Sequence, residues 1–220
     1  MRESIQIAID GPAGSGKSTL AKALAQHYGY VYIDTGAMYR AITYFFLQNH
    51  IPAENEAVGP WMPKVHIELL PDGSVWLNGE DVSKFIRTEH VSGKVSAYAK
   101  LPAVRQGLSA MQRAIAEKDN VVMDGRDIGS VILPKAQHKF YLTASPLARA
   151  ERRYKEYLLR GEKSESLEAI LESIKMRDKD DMEREESPLI QTEDALCIET
   201  DNLSIDEVFE RMRTAIEKRK

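Results

Sequence analysis

A single cysteine, Cys197, stands in 220 residues. It excludes an intrachain disulfide and leaves no set of thiolates for a structural zinc site. No apolar run approaches the roughly 18 residues that a membrane span needs. The start, Met1-Arg2-Glu3 leading into a short apolar stretch, lacks the pattern of a secretory signal. The five histidines show no ligand spacing. The formal net charge is −4, without the basic excess of a general nucleic-acid binder. Internal repeats and low-complexity linkers are absent as well. These absences point to a cytoplasmic protein with no membrane and no nucleic acid among its partners. Cys197, within an apolar stretch, is expected to be a small core residue.

Hydrophobic residues make up 43% and charged residues 29%, enough for a core and a well-solvated surface. The length suits one α/β domain with a modest insert, or at most two small domains. Residues 4–10 are short and β-branched, as a buried strand requires. A Gly-rich stretch follows, then a helical pattern over 17–28 carrying Leu20, Ala21, Ala23 and Leu24 and stopped by Gly29. Residues 30–33 read as a second strand, and Thr35 as the cap of a helix running to about residue 49. Alternating strand and helix is the pattern of a parallel sheet covered by helices. Over 64–82 two short strands flank Pro71-Asp72-Gly73, a hairpin signal that marks an insert of about 63–101. The alternation resumes with a helix at 103–117, strands at 121–124 and 139–143, a long charged helical region over 145–184, a strand at 195–199 and a helix at 205–217.

Residues Gly11-Pro12-Ala13-Gly14-Ser15-Gly16-Lys17-Ser18 match GxxxxGK[ST], with a strand before and a helix after. Glycines let backbone N–H groups wrap an anion, and the helix N-terminus adds positive potential. Lys17 would reach the β- and γ-phosphates of ATP, and Ser18 or its neighbour Thr19 would ligate magnesium. A bare Gly-rich turn that binds nothing is the plain alternative. No Asn-Lys-x-Asp guanine motif is present, so a small-molecule kinase is favoured over a GTPase.

Two further motifs end on strands. Asp34-Thr35-Gly36-Ala37-Met38-Tyr39-Arg40 follows the second strand, and Asp124-Gly125-Arg126-Asp127 follows the strand at 121–124. Both belong at the carboxyl edge of the sheet, where open α/β folds bind ligands. Arg40 and Arg126 suit a phosphate held by a guanidinium fork. Asp34 suits a reacting hydroxyl or a magnesium-bound water, and Asp124 the acid that supports magnesium. Helix capping by Asp34 or Asp127 and a surface ion pair at Arg40 stay open. Further on, Arg149, Arg152, Arg153 and Arg160 lie along one helix, and Arg177, Asp181 and Arg184 share a face of the next. The polar break from Gly161 to Ser166 between them suggests a closing lid over about 154–176 that brings arginines to the phosphates and keeps water out. Solvated helix faces are the alternative there. At this level a kinase for UMP, AMP or another metabolite, and a non-catalytic nucleotide-binding regulator, remain open.

These stretches, the first taken from Ile9-Asp10 and the last edge motif taken through Ile128-Gly129, with Ile86-Arg87-Thr88, Pro102-Ala103-Val104-Arg105, Arg149-Ala150-x-Arg152-Arg153 and Arg177-Asp178-x-x-Asp181, resemble bacterial cytidylate kinases over essentially the whole length. The resemblance implies a three-layer α/β P-loop core with a central parallel sheet (1–62 and 102–220), an inserted monophosphate-binding domain (63–101) and a short lid. It implies a monomer that uses magnesium ATP to phosphorylate CMP or dCMP. By position, Lys17, Arg153 and Arg177 would hold the transferring phosphoryl. Arg40 and Arg126 would hold the acceptor phosphate, with Tyr39 beside them. Ser96, Arg105 and Asp127 would read cytosine, and Asp181 and Arg184 would contact the sugar.

Overall fold

The computed structural model describes residues 4–159 and 166–218. In chain order its elements are β1 Gln6–Asp10, α1 Lys17–Tyr28, β2 Val31–Asp34, α2 Thr35–Gln48, α3 Asn55–Val58, a 3-10 turn Gly59–Lys64, β3 Ile67–Leu69, β4 Val75–Leu77 and β5 Glu80–Asp81. There follow α4 Glu89–Ala99, α5 Pro102–Ala116, β6 Val121–Gly125, a π-helical turn Ile128–Ile132, β7 His138–Thr143, α6 Pro146–Leu159, α7 Leu167–Glu183, β8 Leu196–Glu199 and α8 Ile205–Glu217. The main sheet has the order β2-β6-β1-β7-β8 and every pairing in it is parallel.

Side chains alternate across a strand, so β1 serves two cores. Ile7 and Ile9 face α1 and α8 with Val122, Phe140, Leu142, Leu24 and Met212. Ala8 faces the other way, with Ile33, Met123, Met38, Ile42 and Leu108. Burial on both faces explains why these strands read as continuous apolar runs rather than alternating ones. The result is helix, sheet, helix, the three-layer α/β P-loop fold expected from the sequence.

The hairpin at 64–82 is present and gains a third strand, β5, making the small antiparallel sheet β3-β4-β5. Ile67, Val75, Leu77, Val82 and Ile86 from this segment pack into the same core as Met38, Ile42 and Phe46 of α2. Tyr98 of α4 stacks on Phe46 at 5.3 Å and donates to the carbonyl of Ile51 at 2.7 Å.

Three local expectations need correction. Asp34, not Thr35, caps α2: its Oδ1 accepts from the N–H of Ala37 at 2.7 Å. Aspartate reaches the orphan donor of the first turn, while Thr35 Oγ1 donates instead to the carbonyl of Asp124 at 2.7 Å. Cys197 is exposed, because β8 is an edge strand with one flank uncovered. Arg149 and Arg152 belong to the frame rather than to a set of mobile cations. Arg149 forms a two-pronged pair with Asp178 at 3.0 and 2.6 Å and also donates to the carbonyls of Ala144 and Ala13 at 2.9 and 3.2 Å. Arg152 donates to the carbonyl and Oγ1 of Thr200 at 2.5 and 3.0 Å. Arg160 and residues 161–165, the core of the polar break, lie outside the described residues.

Arg149 therefore ties α6 to α7 and both to the phosphate loop, in a setting where it is 3% exposed. Removing one partner of a buried pair strands the other charge, at about 3–5 kcal/mol. Asp178→Asn should lower the unfolding free energy in urea by about 3 kcal/mol with an unchanged m-value; a loss below about 0.5 kcal/mol would show the pair to be replaceable by water.

Candidate active site

Register brings three carboxylates to one edge. In the parallel ladders Asp34 of β2 lies opposite Asp124 of β6, and Asp124 lies opposite Ile9, one residue before Asp10 of β1. The three strands end together, and the loops that leave them build the site.

The first loop is the phosphate loop. Gly11 adopts φ 142°, and a Cβ there would sit 2.0 Å from the carbonyl oxygen of Leu142, so no other residue fits. Helix α1 starts at Lys17 with Gly16 as N-cap and no side chain capping it. Its first N–H groups are therefore directed at the loop and suit an anion. Lys17, 5% exposed, donates to the carbonyl of Pro12 at 2.6 Å and to Ser15 Oγ at 3.3 Å. Burial, with the nearby Arg126 guanidinium, draws its ammonium down to about 7. Ser18 Oγ donates to Asp124 Oδ2 at 2.8 Å and Tyr32 OH to Oδ1 at 2.8 Å. Burial, with Asp34 close by, pushes the Asp124 carboxyl up to about 6.

The second loop leads into α2. Asp34 Oδ2 faces Arg40 at 3.3 Å and Arg87 at 3.5 Å. The third loop follows β6. Arg126 Nε donates to Asp181 Oδ2 at 2.7 Å, and Arg184 reaches Asp181 Oδ1 at 3.4 Å. Burial works against the Arg126 cation, but Asp181 outweighs it and holds the group above its ordinary range. Asp127 pairs with Arg105, both buried. Arg105 also donates to the carbonyl of Ala99 at 3.1 Å and lies 5.6 Å from the centre of the Tyr39 ring. Burial raises the Tyr39 phenol to about 12, which keeps it protonated.

A cavity of about 200 Å³ joins these groups. Lys17, Ser18, Asp34, Tyr39, Arg40, Ser96, Arg105, Asp124, Arg126, Asp127, Arg153, Arg177, Asp181 and Arg184 all line it, with Ala13 and Gly14 of the phosphate loop. Seven cationic side chains stand against four carboxylates on its walls. Among the described residues, Nε of Arg40, Arg105 and Arg177 and one Nη of Arg184 are buried without a hydrogen-bond partner. Burial, with Arg126 opposite, pulls the Arg177 guanidinium down to about 10. Buried donors without acceptors, gathered around one cavity, are the complement of a polyanion.

Gly11, Pro12, Ser15 and Gly16 do not line this cavity, and neither does Thr19, offered with Ser18 as a magnesium ligand. The hydroxyl bonded to Asp124 is that of Ser18. Sequence reading gave no role in the site to Arg87, Tyr32, Thr35 or Asp10. Arg87 stood in the Ile86-Arg87-Thr88 stretch without a role, and Asp10 directly precedes the phosphate loop.

A sequence profile of the family described as "Cytidylate kinase" matches residues 7–218. The chain belongs to the cytidylate kinase family. Proteins named cytidylate kinase are 48% identical in Geobacillus sp. (strain WCH70), covering 100% of this chain and 99% of that one, and 47% identical in Bacillus subtilis (strain 168), again over 100% and 99%. One from Caldanaerobacter subterraneus subsp. tengcongensis is 52% identical over 98% of this chain and 96% of that one. Among solved structures, an uncharacterized protein from Eubacterium ventriosum ATCC 27560 shares the fold at TM-score 0.54 and 16% identity, over 97% of this chain and 99% of the other. A gluconokinase from Sinorhizobium meliloti 1021 does so at 0.51 and 14%, over 99% and 94%. The family's reaction, transfer of the γ-phosphoryl of ATP to CMP or dCMP, is this chain's reaction, which sets aside the non-catalytic regulator.

Asp124 gives this site a pH signature. Its folded-state carboxyl, near 6, lies above the ordinary 3.8 of an aspartate, so the native state favours the protonated form. That contribution is fully present below about pH 4 and is lost as pH rises through 6. The unfolding free energy of the wild type, relative to Asp124→Asn, should therefore fall by about 3 kcal/mol between pH 4 and pH 7. Urea titrations of both proteins across that range check it; a constant difference would mean that the carboxyl titrates normally.

Proposed function

We propose that the cavity is the place of the transfer, with the phosphate loop as donor side and the loops after β2 and β6 as acceptor side. The observation that carries this reading is the buried Arg105–Asp127 pair, set in one cavity with Lys17. Lys17, Arg153 and Arg177 hold the moving phosphoryl group, and the free N–H groups of the loop hold the rest of the triphosphate. Arg40 and Arg126 take the acceptor phosphate, and Asp181 and Arg184 meet the sugar. The acceptor oxygen is already anionic, so placement matters more than activation, and no covalent intermediate is needed.

The oxygens of Ser18 and Asp124, with Asp34 near, are hard donors that fit a magnesium ion. These residues would hold it, and the ion would neutralise charge on the transferring phosphates.

Residues 63–101 form the monophosphate-binding insert in this reading, with 1–62 and 102–220 as the kinase core. The arm over about 154–176 acts as the lid, since Arg153 and Arg177 at its two ends face the cavity. Hydrogen exchange at 166–176 should slow on binding a bisubstrate analogue, and unchanged protection there would exclude closure. We read the enzyme as monomeric and cytoplasmic. No helix among the described residues is long and apolar enough to cross a membrane, and sedimentation velocity and cell fractionation test the two assignments.

Base choice follows from donor and acceptor order. Cytosine offers an amino donor at C4 beside acceptors at N3 and O2, whereas uracil reverses the pattern at C4 and N3. The Asp127 carboxylate accepts from the amino group, and Arg105, which has donors only, serves N3 and O2. Ser96 both donates and accepts, so it adds position more than choice. Each mismatch leaves a buried group unpaired, so two give about a hundredfold discrimination. A coupled ADP-release assay over a panel of monophosphates should find CMP and dCMP preferred. Asp127→Ala should collapse the ratio of kcat/KM for CMP over UMP; equal losses on both substrates would reduce Asp127 to a structural role.

A further inference from the structure

Asp10 closes β1 and is 5% exposed, yet nothing in the transfer described above uses it. Its carboxylate crosses to the neighbouring loop. Oδ1 accepts from the N–H of Ile128 at 2.8 Å and Oδ2 from the N–H of Gly129 at 2.7 Å. These are the first two N–H groups of the π-helical turn Ile128–Ile132. The opening N–H groups of a helical turn have no partner inside it, and the residue just before, here Asp127, is the usual supplier of one. Asp127 makes no such bond. Its main-chain carbonyl accepts from Val131 and Ile132 at 2.9 and 3.1 Å, while its side chain turns to Arg105.

We infer that Asp10 is a positioning residue for base selectivity: by capping the turn from β1, it releases the Asp127 carboxylate to face the base. This rests on the reading of Asp127 as the cytosine acceptor. The surroundings of the cap are built to hold it. A Cβ on Gly129 would lie 3.3 Å from Asp10 Oδ2 and 3.2 Å from Lys139 Cδ, so glycine there lets the main chain approach. Burial pushes the Asp10 carboxyl up to about 6, opposed by the two N–H donors, with Asp127 adding to the rise and Lys17 opposing it. One N–H donor on each oxygen is the arrangement that suits the ionised carboxylate, which can accept at both. Asparagine in its place would keep one acceptor and set an amide NH₂ against the other N–H. The turn would then have to shift, and Asp127 with it.

The test measures kcat and KM for CMP and for UMP in the wild type, Asp10→Asn, Asp127→Ala and the double variant, with a melting temperature for each. In Asp127→Ala the CMP over UMP ratio of kcat/KM should fall about a hundredfold. In Asp10→Asn it should fall about tenfold, chiefly through KM for CMP. In the double variant it should match Asp127→Ala alone, because Asp10 acts through Asp127. A merely structural Asp10 would lower the melting temperature and both substrates' rates while leaving the ratio intact; that result, alongside a collapsed ratio in Asp127→Ala, overturns the inference. An unmoved ratio in Asp127→Ala overturns the base reading itself, and the inference with it. If Asp10→Asn does not fold, Asp10→Ser, which keeps one acceptor without the opposed NH₂, replaces it under the same criteria.

Discussion

Three parallel strands end in aspartate, or one residue past it, at the same level of the sheet, and the rest of the site follows from that register. Asp10, Asp34 and Asp124 are drawn together by ladders whose purpose is to pair main-chain groups. By register Asp34 and Asp124 share one face and Asp10 turns to the other; buried carboxylates are costly on either, and the surroundings answer them one by one. Asp10 takes two backbone N–H groups. Asp34 takes a helix N-terminus and two guanidiniums. Asp124 takes two hydroxyls, with Lys17 in reach of its field. Each answer uses a different kind of donor, and most of the donors come from elements that follow a neighbouring strand, so the three edges are tied to one another.

The cations are arranged less economically. Arg40, Arg105, Arg126 and Arg184 have acid partners, but buried N–H groups of Arg40, Arg105, Arg177 and Arg184 face no protein acceptor. Burial weakens several of these cations, as it does Arg40, Arg177 and Arg184. Such a wall is uncomfortable by itself and comfortable around phosphates, which supply both charge and acceptor oxygens. The conflict between stability and function is thus local: the same buried cations that cost stability suit the wall to an anion.

Much of this was legible in the sequence. The phosphate loop, the two edge motifs and the strand and helix order all showed as local patterns, because glycine spacing and β-branched runs are local physics. The misreadings share another cause. Arg149 and Arg153 fall on one predicted helix face, but packing against α7 sends Arg149 to Asp178 and leaves Arg153 at the cavity. Thr35 looked like a cap by type, and only the approach of β6 shows why its hydroxyl goes elsewhere. Cys197 looked like core because its stretch is apolar; edge position is a property of sheet order, which no window of sequence contains. Asp10 was hidden for the same reason, its partners being 118 and 119 residues away.

The small three-stranded sheet has no interior of its own. Its apolar side chains finish the core that α2 begins, so residues 63–101, proposed above as the binding insert, are not a unit of folding. Cut out, the segment would lose the surface that orders it; left out, it would uncover Met38, Ile42 and Phe46. A graft of another acceptor-binding segment onto this frame would have to carry the matching face of α2 with it. In the proposed reading, changes of substrate by exchange of this part are thereby confined to its side chains that line the cavity, Ser96 among them, and are denied to the fold beneath.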